Sequence, residues 1–355
     1  MSDSVTFANP TSPATQPSFA DIRPEGEPLL VVEGLTKTFR VRHSLINRLR
    51  GQPELRAHAL SQVDLTVYRG ETLGIVGESG CGKSTLARCL VRLLSADSGR
   101  INYDGLDVRR LRGQALRAFN RRVQMVFQDP FGSLNPRKTV RSTLAEGLIV
   151  HRMRPRRQIA ERVGELMDLV HLPREAAGRR PHEFSGGQRQ RIGIARALSV
   201  EPECLIADEL VSALDVSVQA QMVNLLLELQ QRLGLTVLFI AHDLRLVQHL
   251  SHRVAVMYLG RIVELAPTEA LFATPRHPYT QALLRAAPSL DPEKRNLSDA
   301  LTGELPSPLS PPPGCPFHPR CPRAIAVCRA ERPALAPLRD GRLSACHVAA
   351  AEDNG

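Results

Sequence analysis

The segment Gly77–Thr85 constrains the fold of this chain more than any other feature. It reads Gly-Glu-Ser-Gly-Cys-Gly-Lys-Ser-Thr and fits the pattern G-x-x-x-x-G-K-[ST]. Glycines let backbone N–H groups converge on phosphate oxygens, Lys83 offers a charge to the terminal phosphates, and the Ser84 hydroxyl is a ligand for Mg²⁺. The sequence therefore predicts a nucleoside triphosphate site, with cofactor contacts from Gly77, Ser79, Gly80, Cys81, Gly82, Lys83, Ser84 and Thr85.

The residues around this loop predict a strand before it and a helix after it. An apolar run, Thr72–Val76, precedes the loop, and leucines at helical spacing follow it. Further along, Cys204–Ala207 and Thr236–Ala241 are continuous apolar runs that end in polar residues. Strands that alternate with helices favour an α/β fold with a mostly parallel sheet, whose ligands gather at the carboxyl ends of the strands. The helical leucines are Leu86, Leu90, Leu93 and Leu94, and the apolar face before Thr236 contains Met222, Leu225, Leu226, Leu229 and Leu233.

Charge and composition narrow the class of protein. The 46 Lys and Arg residues exceed the 36 Asp and Glu residues by 10, but the basic residues are scattered. The densest cluster, Arg152–Arg157, has no interleaved aromatic residue, and the whole chain has no Trp and four Tyr, so we expect no specific nucleic-acid partner. No apolar run approaches the ~18 residues of a membrane span, and the start of the chain lacks a secretion signal. We therefore expect a cytosolic chain that reaches a membrane only through a partner.

Composition also divides the chain into three predicted regions. Residues 1–27 are rich in Ser, Thr, Pro and Ala without periodicity, which predicts a disordered tail. Residues 28–266 are the predicted nucleotide-binding domain, with an Arg-rich helical insertion at about 129–190. From residue 267 the composition shifts, and ten prolines between Pro306 and Pro337 indicate an irregular extension over 267–355.

Two further motifs complete the predicted site. Asp208 follows a buried strand, where a carboxylate can hold Mg²⁺, and the adjacent Glu209 can polarise an attacking water. The sequence Ser185-Gly186-Gly187-Gln188 begins a helical stretch and predicts a second anion site built from backbone N–H groups and the helix dipole. One active site does not need two phosphate cradles, whereas two sites shared across a dimer do.

In this order the motifs resemble those of the ATP-binding subunits of ABC transporters, over about residues 29–265. Gly77–Thr85 matches the Walker A loop of that family, and Ser185–Gln188 matches its signature motif. Asp208 and Glu209 match its Walker B carboxylates. The resemblance implies an α/β fold of the ABC-type P-loop ATPase, with a mostly parallel core sheet, an antiparallel β part, a helical subdomain and a Pro- and Cys-rich C-terminal extension. The remaining matches are Gln128 for the Q-loop, Ser212–Asp215 for the D-loop, His242 for the switch histidine and Phe39 for the adenine-stacking aromatic.

The resemblance also implies roles for these residues. Glu209 would polarise the attacking water, His242 would stabilise the transition state beside Lys83, and Gln128 would sense the Mg²⁺ held by Ser84 and Asp208. Two such subunits would pack head to tail, so that Ser185, Gly186, Gly187 and Gln188 of one face the ATP of the other. One departure is Leu210-Val211, where the family usually has a proline; we expect a looser turn and retained ATPase activity.

The C-terminal extension resembles that of dipeptide and oligopeptide importer ATPases. The resemblance rests on Thr274–Leu284, Gly303–Pro308 and Gly314–Pro322, and on Phe131–Arg137 after the Q-loop; nickel and glutathione importers share these features. The spacing C-x5-C-x6-C-x17-C is compatible with an iron–sulfur cluster, with zinc, or with reduced thiols. The set resembles that of importer subunits that hold a four-iron cluster. Its members are Cys315, Cys321, Cys328 and Cys346, with His318 and His347 as alternative zinc ligands.

The sequence thus predicts the ATP-hydrolysing subunit of a peptide importer, peripheral at the cytoplasmic face of the inner membrane. The expected partners are a second ATPase subunit (a copy or a paralogue), two transmembrane permease subunits and, indirectly, an extracytoplasmic peptide-binding protein. The alternatives are the same role in a nickel or glutathione importer, and a soluble ABC-type ATPase acting on nucleic acid. The single phosphate loop and the absence of a heptad run argue against the last.

Overall fold

The computed structural model describes residues 26–40, 55–212, 214–286 and 304–354. Almost all of the predicted N-terminal tail, and Ala213 of the predicted D-loop, lie outside these residues. The described strands form a four-stranded antiparallel sheet, in the order β2-β1-β4-β5, and an eight-stranded mixed sheet, in the order β11-β12-β10-β9-β3-β8-β7-β6. The strands are β1 (Pro28–Arg40), β2 (Arg56–Tyr68), β3 (Thr72–Val76), β4 (Ser98–Tyr103), β5 (Leu106–Asp107), β6 (Val123–Val126), β7 (Cys204–Asp208), β8 (Thr236–Ile240), β9 (Arg253–Tyr258), β10 (Arg261–Pro267), β11 (Ala336–Pro337) and β12 (Leu343–Ser344).

The centre of the large sheet is parallel and completely buried. β3 pairs in parallel with β8 and β9, and β7 pairs in parallel with β6 and β8. Every residue of β3, β7 and β8 is buried, which explains why these strands read as continuous apolar runs rather than as alternating patterns. The carboxyl ends of β3, β7 and β8 therefore meet at one edge, where the predicted site residues follow them.

Helices cover the large sheet and form a separate layer beside it. Leu144, Leu148 and Leu166 are fully buried between the helices of residues 140–198, because apolar residues recur there at helical spacing. The helices are α1 (Lys83–Leu90), α2 (Gly113–Arg122), α3 (Pro130–Ser133), α4 (Val140–Val150), α5 (Ile159–Leu169), α6 (Gly186–Leu198), α7 (Val216–Leu233), α8 (Leu244–Leu250), α9 (Thr268–Ala273), α10 (Pro278–Ala286), α11 (Ala326–Ala330) and α12 (His347–Asn354).

The C-terminal extension is joined to the large sheet. β12 pairs antiparallel with β10, and the N–H of Ala345 donates to the carbonyl of Val263 over 2.8 Å. The buried carboxylate of Glu264 on β10 accepts the N–H groups of Arg276 (2.8 Å) and His277 (2.9 Å), and burial raises the pKa of Glu264. Within the described residues 304–354 no helix exceeds the eight residues of α12, in agreement with the proline content.

Two sequence-based helix predictions need correction at their ends. The pattern of leucines after the phosphate loop predicts a helix through Leu94, but α1 ends at Leu90. Arg92 has a positive φ of 60°, which stops the helix, and Leu93 is 58% exposed. In α7 the apolar face holds as far as Leu229, whereas Leu233 is 43% exposed at the last helical residue, before Gly234 in the left-handed region.

Candidate nucleotide-binding and catalytic site

The predicted phosphate loop connects β3 to the N-terminus of α1. Gly77 has a φ of +152°, and a Cβ there would lie 2.2 Å from the carbonyl oxygen of Met257, so no side chain fits. Ser79 and Gly80 are exposed at the tip of the loop, whereas Cys81 is buried beneath it. Gly82, with a φ of 109°, caps α1, and no side chain caps the helix N-terminus at Lys83–Thr85, where the first N–H groups of a helix have no partner within it and face an anion.

Lys83 is buried at the base of this loop. Its Nζ donates to the carbonyl oxygens of Gly77 (2.8 Å) and Glu78 (3.1 Å). The ammonium group is therefore held by the same backbone segment that would surround the phosphates. This arrangement places a charge beside the loop, as nucleotide phosphates require.

The predicted Mg²⁺ ligands meet at the carboxyl end of β7. Ser84 Oγ donates to Asp208 Oδ1 over 2.9 Å. Asp208 is only 3% exposed, and burial raises the pKa of its carboxyl group despite the hydrogen bond from Ser84. A hydroxyl and one carboxylate fit Mg²⁺, which takes few protein oxygens and completes its shell with water and substrate phosphates.

Gln128, two residues beyond β6, lies beside Asp208, one of the predicted metal ligands. Its Nε2 donates to Ser212 Oγ over 3.2 Å, and its side chain lines a cavity of about 480 Å³ together with Asp208. The carbonyl oxygen of Gln128 accepts a hydrogen bond from Gln190 Nε2 over 3.1 Å. Gln190 is a buried residue of α6 that the sequence analysis missed, because a glutamine in a helix carries no local signal of its partner.

Glu209 and His242 face one another across a small cavity. Both line a space of about 20 Å³ that also contacts Ser212 and Asp243, which is room for a water molecule. Glu209 has a positive φ of 48°, and its N–H donates to the carbonyl of Ile240 over 3.0 Å. A non-glycine residue in this region is strained, and such strain is concentrated at functional sites.

The turn after Glu209 is closed without the proline that the family usually has there. The N–H and Oγ of Ser212 both donate to the carbonyl of Glu209, over 3.2 Å and 3.0 Å. Leu210 and Val211 are both buried in the core. Side-chain packing and these hydrogen bonds therefore hold the turn where the family usually has a proline, and the looser turn stays a prediction.

The predicted signature motif caps α6. Ser185 Oγ accepts the N–H of Gln188 over 3.3 Å, and Gln188 Oε1 accepts the N–H of Ser185 over 3.0 Å. Gly187 packs on α7, where a Cβ would lie 2.5 Å from Val218 Cγ1. Across the described ranges no hydrogen bond or ion pair joins residues 185–188 to the phosphate loop, and Ser185 is exposed. The structure therefore brings together Lys83, Ser84, Gln128, Asp208, Glu209 and His242, without Ser185, Gly186, Gly187 or Gln188.

Phe39 is an exposed aromatic side chain near the end of β1. Its ring is 39% exposed, and Lys37 Nζ lies 5.5 Å from the ring centroid. An accessible ring is what stacking on a base requires.

The four C-terminal cysteines are free and belong to one module. Burial and, to a smaller extent, the neighbouring thiols of Cys328, Cys346 and Cys321 raise the pKa of Cys315 to about 11. The N–H of Cys315 donates to the carbonyl of Cys328 over 2.8 Å. However, no group of three or more His, Cys, Asp or Glu side chains in the part of the chain that the structure describes is arranged to hold a metal ion. His318 and His347 contact backbone carbonyls, at 2.9 Å and 3.1 Å. The thiols are neighbours but do not form a ready metal site.

Comparison with known sequences gives two family matches and many close relatives. Residues 60–212 match the ABC transporter family, and residues 263–328 match the C-terminal region of oligopeptide/dipeptide transporters. A probable peptide ABC transporter ATP-binding protein of Sinorhizobium fredii is 55% identical over 322 residues, which cover 91% of this chain and 90% of that protein. The oligopeptide transport ATP-binding protein AppF of Bacillus subtilis is 49% identical over 91% of this chain and 98% of its own length.

Comparison with solved structures finds ATP-binding cassettes. CbiO1 of Clostridium perfringens, part of an ABC transporter complex, has a TM-score of 0.59 and 29% identity, over 69% of this chain and 91% of its own. The ATP-binding cassette MJ0796, a dimer in a post-hydrolysis state with ADP and Pi, has a TM-score of 0.59 and 26% identity, over 67% of this chain and 98% of its own. The fold predicted from the sequence is confirmed by these similarities.

Proposed function

The chain belongs to the ATP-binding subunits of ABC transporters, in the group with the oligopeptide/dipeptide C-terminal region, and from this premise we propose that it hydrolyses ATP to drive peptide import. The observation that carries the proposal is the contact of Ser84 with Asp208 behind a complete phosphate loop. The peptide cargo is proposed from the relatives, whose names describe peptide and oligopeptide transport. Nickel and glutathione remain the alternative cargoes.

Hydrolysis is assigned to the residues around the carboxyl ends of β7 and β8. Lys83 and the N–H groups of α1 bind the phosphates, and Ser84 and Asp208 would hold Mg²⁺, which would neutralise charge on the phosphate oxygens. Glu209 accepts the proton of the attacking water, and His242 donates a hydrogen bond to the charge that develops on the transferred phosphoryl group. Gln128 orients the metal site from its position between Ser212 and Asp208.

The signature motif is assigned to the ATP site of a second subunit. In one chain the motif is exposed and makes no hydrogen bond to the phosphate loop among the described residues, although its capped helix N-terminus suits an anion. The similar cassette MJ0796 is described as a dimer. Two subunits packed head to tail would place Ser185 and Gly187 of one on the ATP bound by Lys83 of the other. The partner is a copy of this chain or a paralogue.

A groove between the helical layer and the large sheet is assigned to a permease subunit. It has a volume of about 560 Å³ and is lined by apolar residues of α4 and of the segment after α1, among them Val150 and Leu93. Both side chains are largely exposed. No described helix has the length and hydropathy to cross a bilayer. We assign the chain to the cytoplasmic face of the inner membrane, bound to two permeases, because its relatives are named as ATP-binding proteins of peptide transporters. An extracytoplasmic binding protein would act through them.

We also assign an iron–sulfur cluster to Cys315, Cys321, Cys328 and Cys346. The support is the placement of all four cysteines in one module, where the N–H of Cys315 donates to the carbonyl of Cys328 over 2.8 Å, and the absence of any disulfide among the described cysteines. The present arrangement is not a ready metal site, so the four sulfur atoms would have to be drawn together by the cluster. Anaerobically purified protein should be brown, with iron and acid-labile sulfide in similar amounts. If the protein is colourless and contains one zinc, the metal site stands but its metal is zinc. If it contains neither iron nor zinc, the assignment of a metal site is wrong.

The test of the main proposal compares two activators of the ATPase. Reconstitution with the permease subunits should raise the rate of phosphate release, and DNA or RNA should not change it. Stimulation by nucleic acid without any copurifying membrane protein would favour the soluble ATPase instead. Salt-sensitive binding of nucleic acid without stimulation is expected from the net charge of +10 and does not bear on this choice.

A further inference from the structure

The C-terminal extension contacts the phosphate loop through a bidentate ion pair. Arg320 donates to Glu78 Oε2 over 2.8 Å and to Glu78 Oε1 over 3.0 Å, although 242 residues separate the two in the chain. The Arg320 side chain is 5% exposed and the Glu78 side chain 25%. Bidentate guanidinium–carboxylate pairs that are shielded from water fix geometry far better than exposed ion pairs do.

The extension also holds the backbone of the same loop residue. Tyr279 on α10 is fully buried, and its hydroxyl oxygen accepts the N–H of Glu78 over 2.9 Å. The carbonyl of Glu78 in turn accepts a hydrogen bond from Lys83 Nζ over 3.1 Å. Side chain, N–H and carbonyl of Glu78 are thus all bonded, and the last of these bonds leads directly to the phosphate-binding lysine.

A packed aromatic cluster fixes Arg320 and Tyr279 in place. The ring centroid of Phe317 lies 5.3 Å from that of Tyr258 and 5.4 Å from that of Tyr279. Tyr258 and Tyr279 are themselves 4.6 Å apart, and the Arg320 guanidinium lies 6.0 Å from the Tyr258 ring centroid. Phe317 directly precedes the short turn His318–Arg320, so the position of Arg320 depends on the burial of Phe317 against the end of β9.

We propose that Arg320 and Tyr279 are positioning residues for ATP binding, which hold the phosphate loop through Glu78. They touch neither the nucleotide nor the reacting atoms. The phosphate loop must present its N–H groups in one geometry. Loss of the hydrogen bonds that Arg320 and Tyr279 make to Glu78 would let Glu78 move and, because Glu78 is bonded to Lys83, would let Lys83 move with it. The docked extension is therefore part of the ATP-binding machinery and not only an attachment to it. The inference rests on the proposed function only as far as ATP binding.

The test measures equilibrium ATP binding by the full chain and by matched variants. Arg320→Ala should weaken ATP binding by about tenfold, within the usual range of coupling between sites. Arg320→Lys should recover part of this loss, because an ammonium group keeps the charge and loses the second hydrogen bond. Tyr279→Phe keeps the ring packing, removes the acceptor, and should weaken binding several-fold. Arg323→Ala is the matched control: Arg323 lies in the same module but pairs with Glu352, and its loss should leave binding unchanged.

A double-variant cycle separates positioning from general stabilisation. If Arg320 acts through Glu78, then Glu78→Gln should weaken ATP binding as Arg320→Ala does, and the double variant should be no weaker than either. Thermal unfolding is recorded for every variant. Unchanged ATP binding in Arg320→Ala, Arg320→Lys and Tyr279→Phe, with a lowered unfolding temperature, would make the contacts merely structural and overturn the inference. A wild-type chain that does not bind ATP would overturn the proposed function as well.

Discussion

Ser84 Oγ donates a hydrogen bond to Asp208 Oδ1 across 2.9 Å, joining residues that lie 124 positions apart. The hydroxyl belongs to the first turn of α1 and the carboxylate to the last residue of β7. Because the hydroxyl uses its proton for this bond, its lone pairs stay available to a cation beside the phosphate loop. The contact therefore orients both oxygens for one metal ion.

Asp208→Asn should raise the Mg²⁺ concentration needed for tight ATP binding by about tenfold or more. Without metal, the variant should nevertheless have a higher free energy of unfolding than the wild type near neutral pH. Burial raises the pKa of Asp208, so the native state binds more protons than the unfolded state between the two pKa values, and stability falls as pH rises through that window. Denaturant titration in chelator and Mg²⁺-dependent ATP binding measure the two effects. Asp168→Asn, at an exposed site, is the control for Mg²⁺-dependent ATP binding, which it should leave unchanged.

Glu209→Gln should retain ATP binding and reduce turnover by at least about a hundredfold, because an amide cannot accept the proton of the attacking water. The variant should also trap the dimer that ATP closes, which size-exclusion chromatography with ATP would detect. Glu228→Gln, on the exposed face of α7, should hydrolyse ATP at the wild-type rate. Native turnover in Glu209→Gln would show that the catalytic assignment is wrong.

The stability of the docked extension should depend on pH through His277. Burial lowers the pKa of His277 to about 4, whereas an unfolded histidine titrates near 6.5. The unfolded state therefore takes up a proton in this window that the native state does not, and stability falls as pH decreases. Relative to His277→Gln, the wild type should lose about 1.4 kcal/mol per pH unit below about 6. Denaturant unfolding at pH 7, 6 and 5 measures this difference, and parallel profiles would contradict it.

Val150→Asp should abolish copurification with the permease subunits while ATP binding by the isolated chain is unchanged. Val150 is 69% exposed and lines the groove between α4 and the large sheet, where a charge would oppose an apolar partner. Leu106→Asp, at another exposed apolar side chain in the antiparallel sheet, is the control and should copurify normally. Equal loss in both variants would indicate a nonspecific effect of added charge.

The parts of the site that the sequence predicted are those encoded locally. Short motifs next to apolar strands identify the phosphate loop and the residues after β7 and β8 in the sequence. The structure brings Lys83, Asp208 and Glu209 together there. The end of α1 was missed, because the leucine spacing continues to Leu94 while the backbone turns at Arg92. The spacing of apolar residues does not reveal a change in the φ angle of a single residue.

Contacts between distant segments were invisible to the sequence analysis. β12 has two residues and its partner β10 has seven. A strand of two residues is too short to show an alternating pattern in the sequence. The Arg320–Glu78 pair has no local signature either, since both residues are common at surfaces. The cysteine spacing was visible, but spacing does not determine whether the sulfur atoms converge, and the structure leaves them as neighbours without a ready metal site.

The two short strands of the extension also protect the large sheet against self-association. Without them β10 would be an edge strand of seven residues, most of them buried, with unpaired N–H and C=O groups that could recruit another chain. β12 pairs with β10, and β11 pairs with β12 as the outermost strand. Each has two residues, and edges this short are poor templates for intermolecular pairing. A chain cut short before Leu343 would therefore be prone to aggregate even if its nucleotide motifs were intact, and the extension limits how this cassette can be truncated.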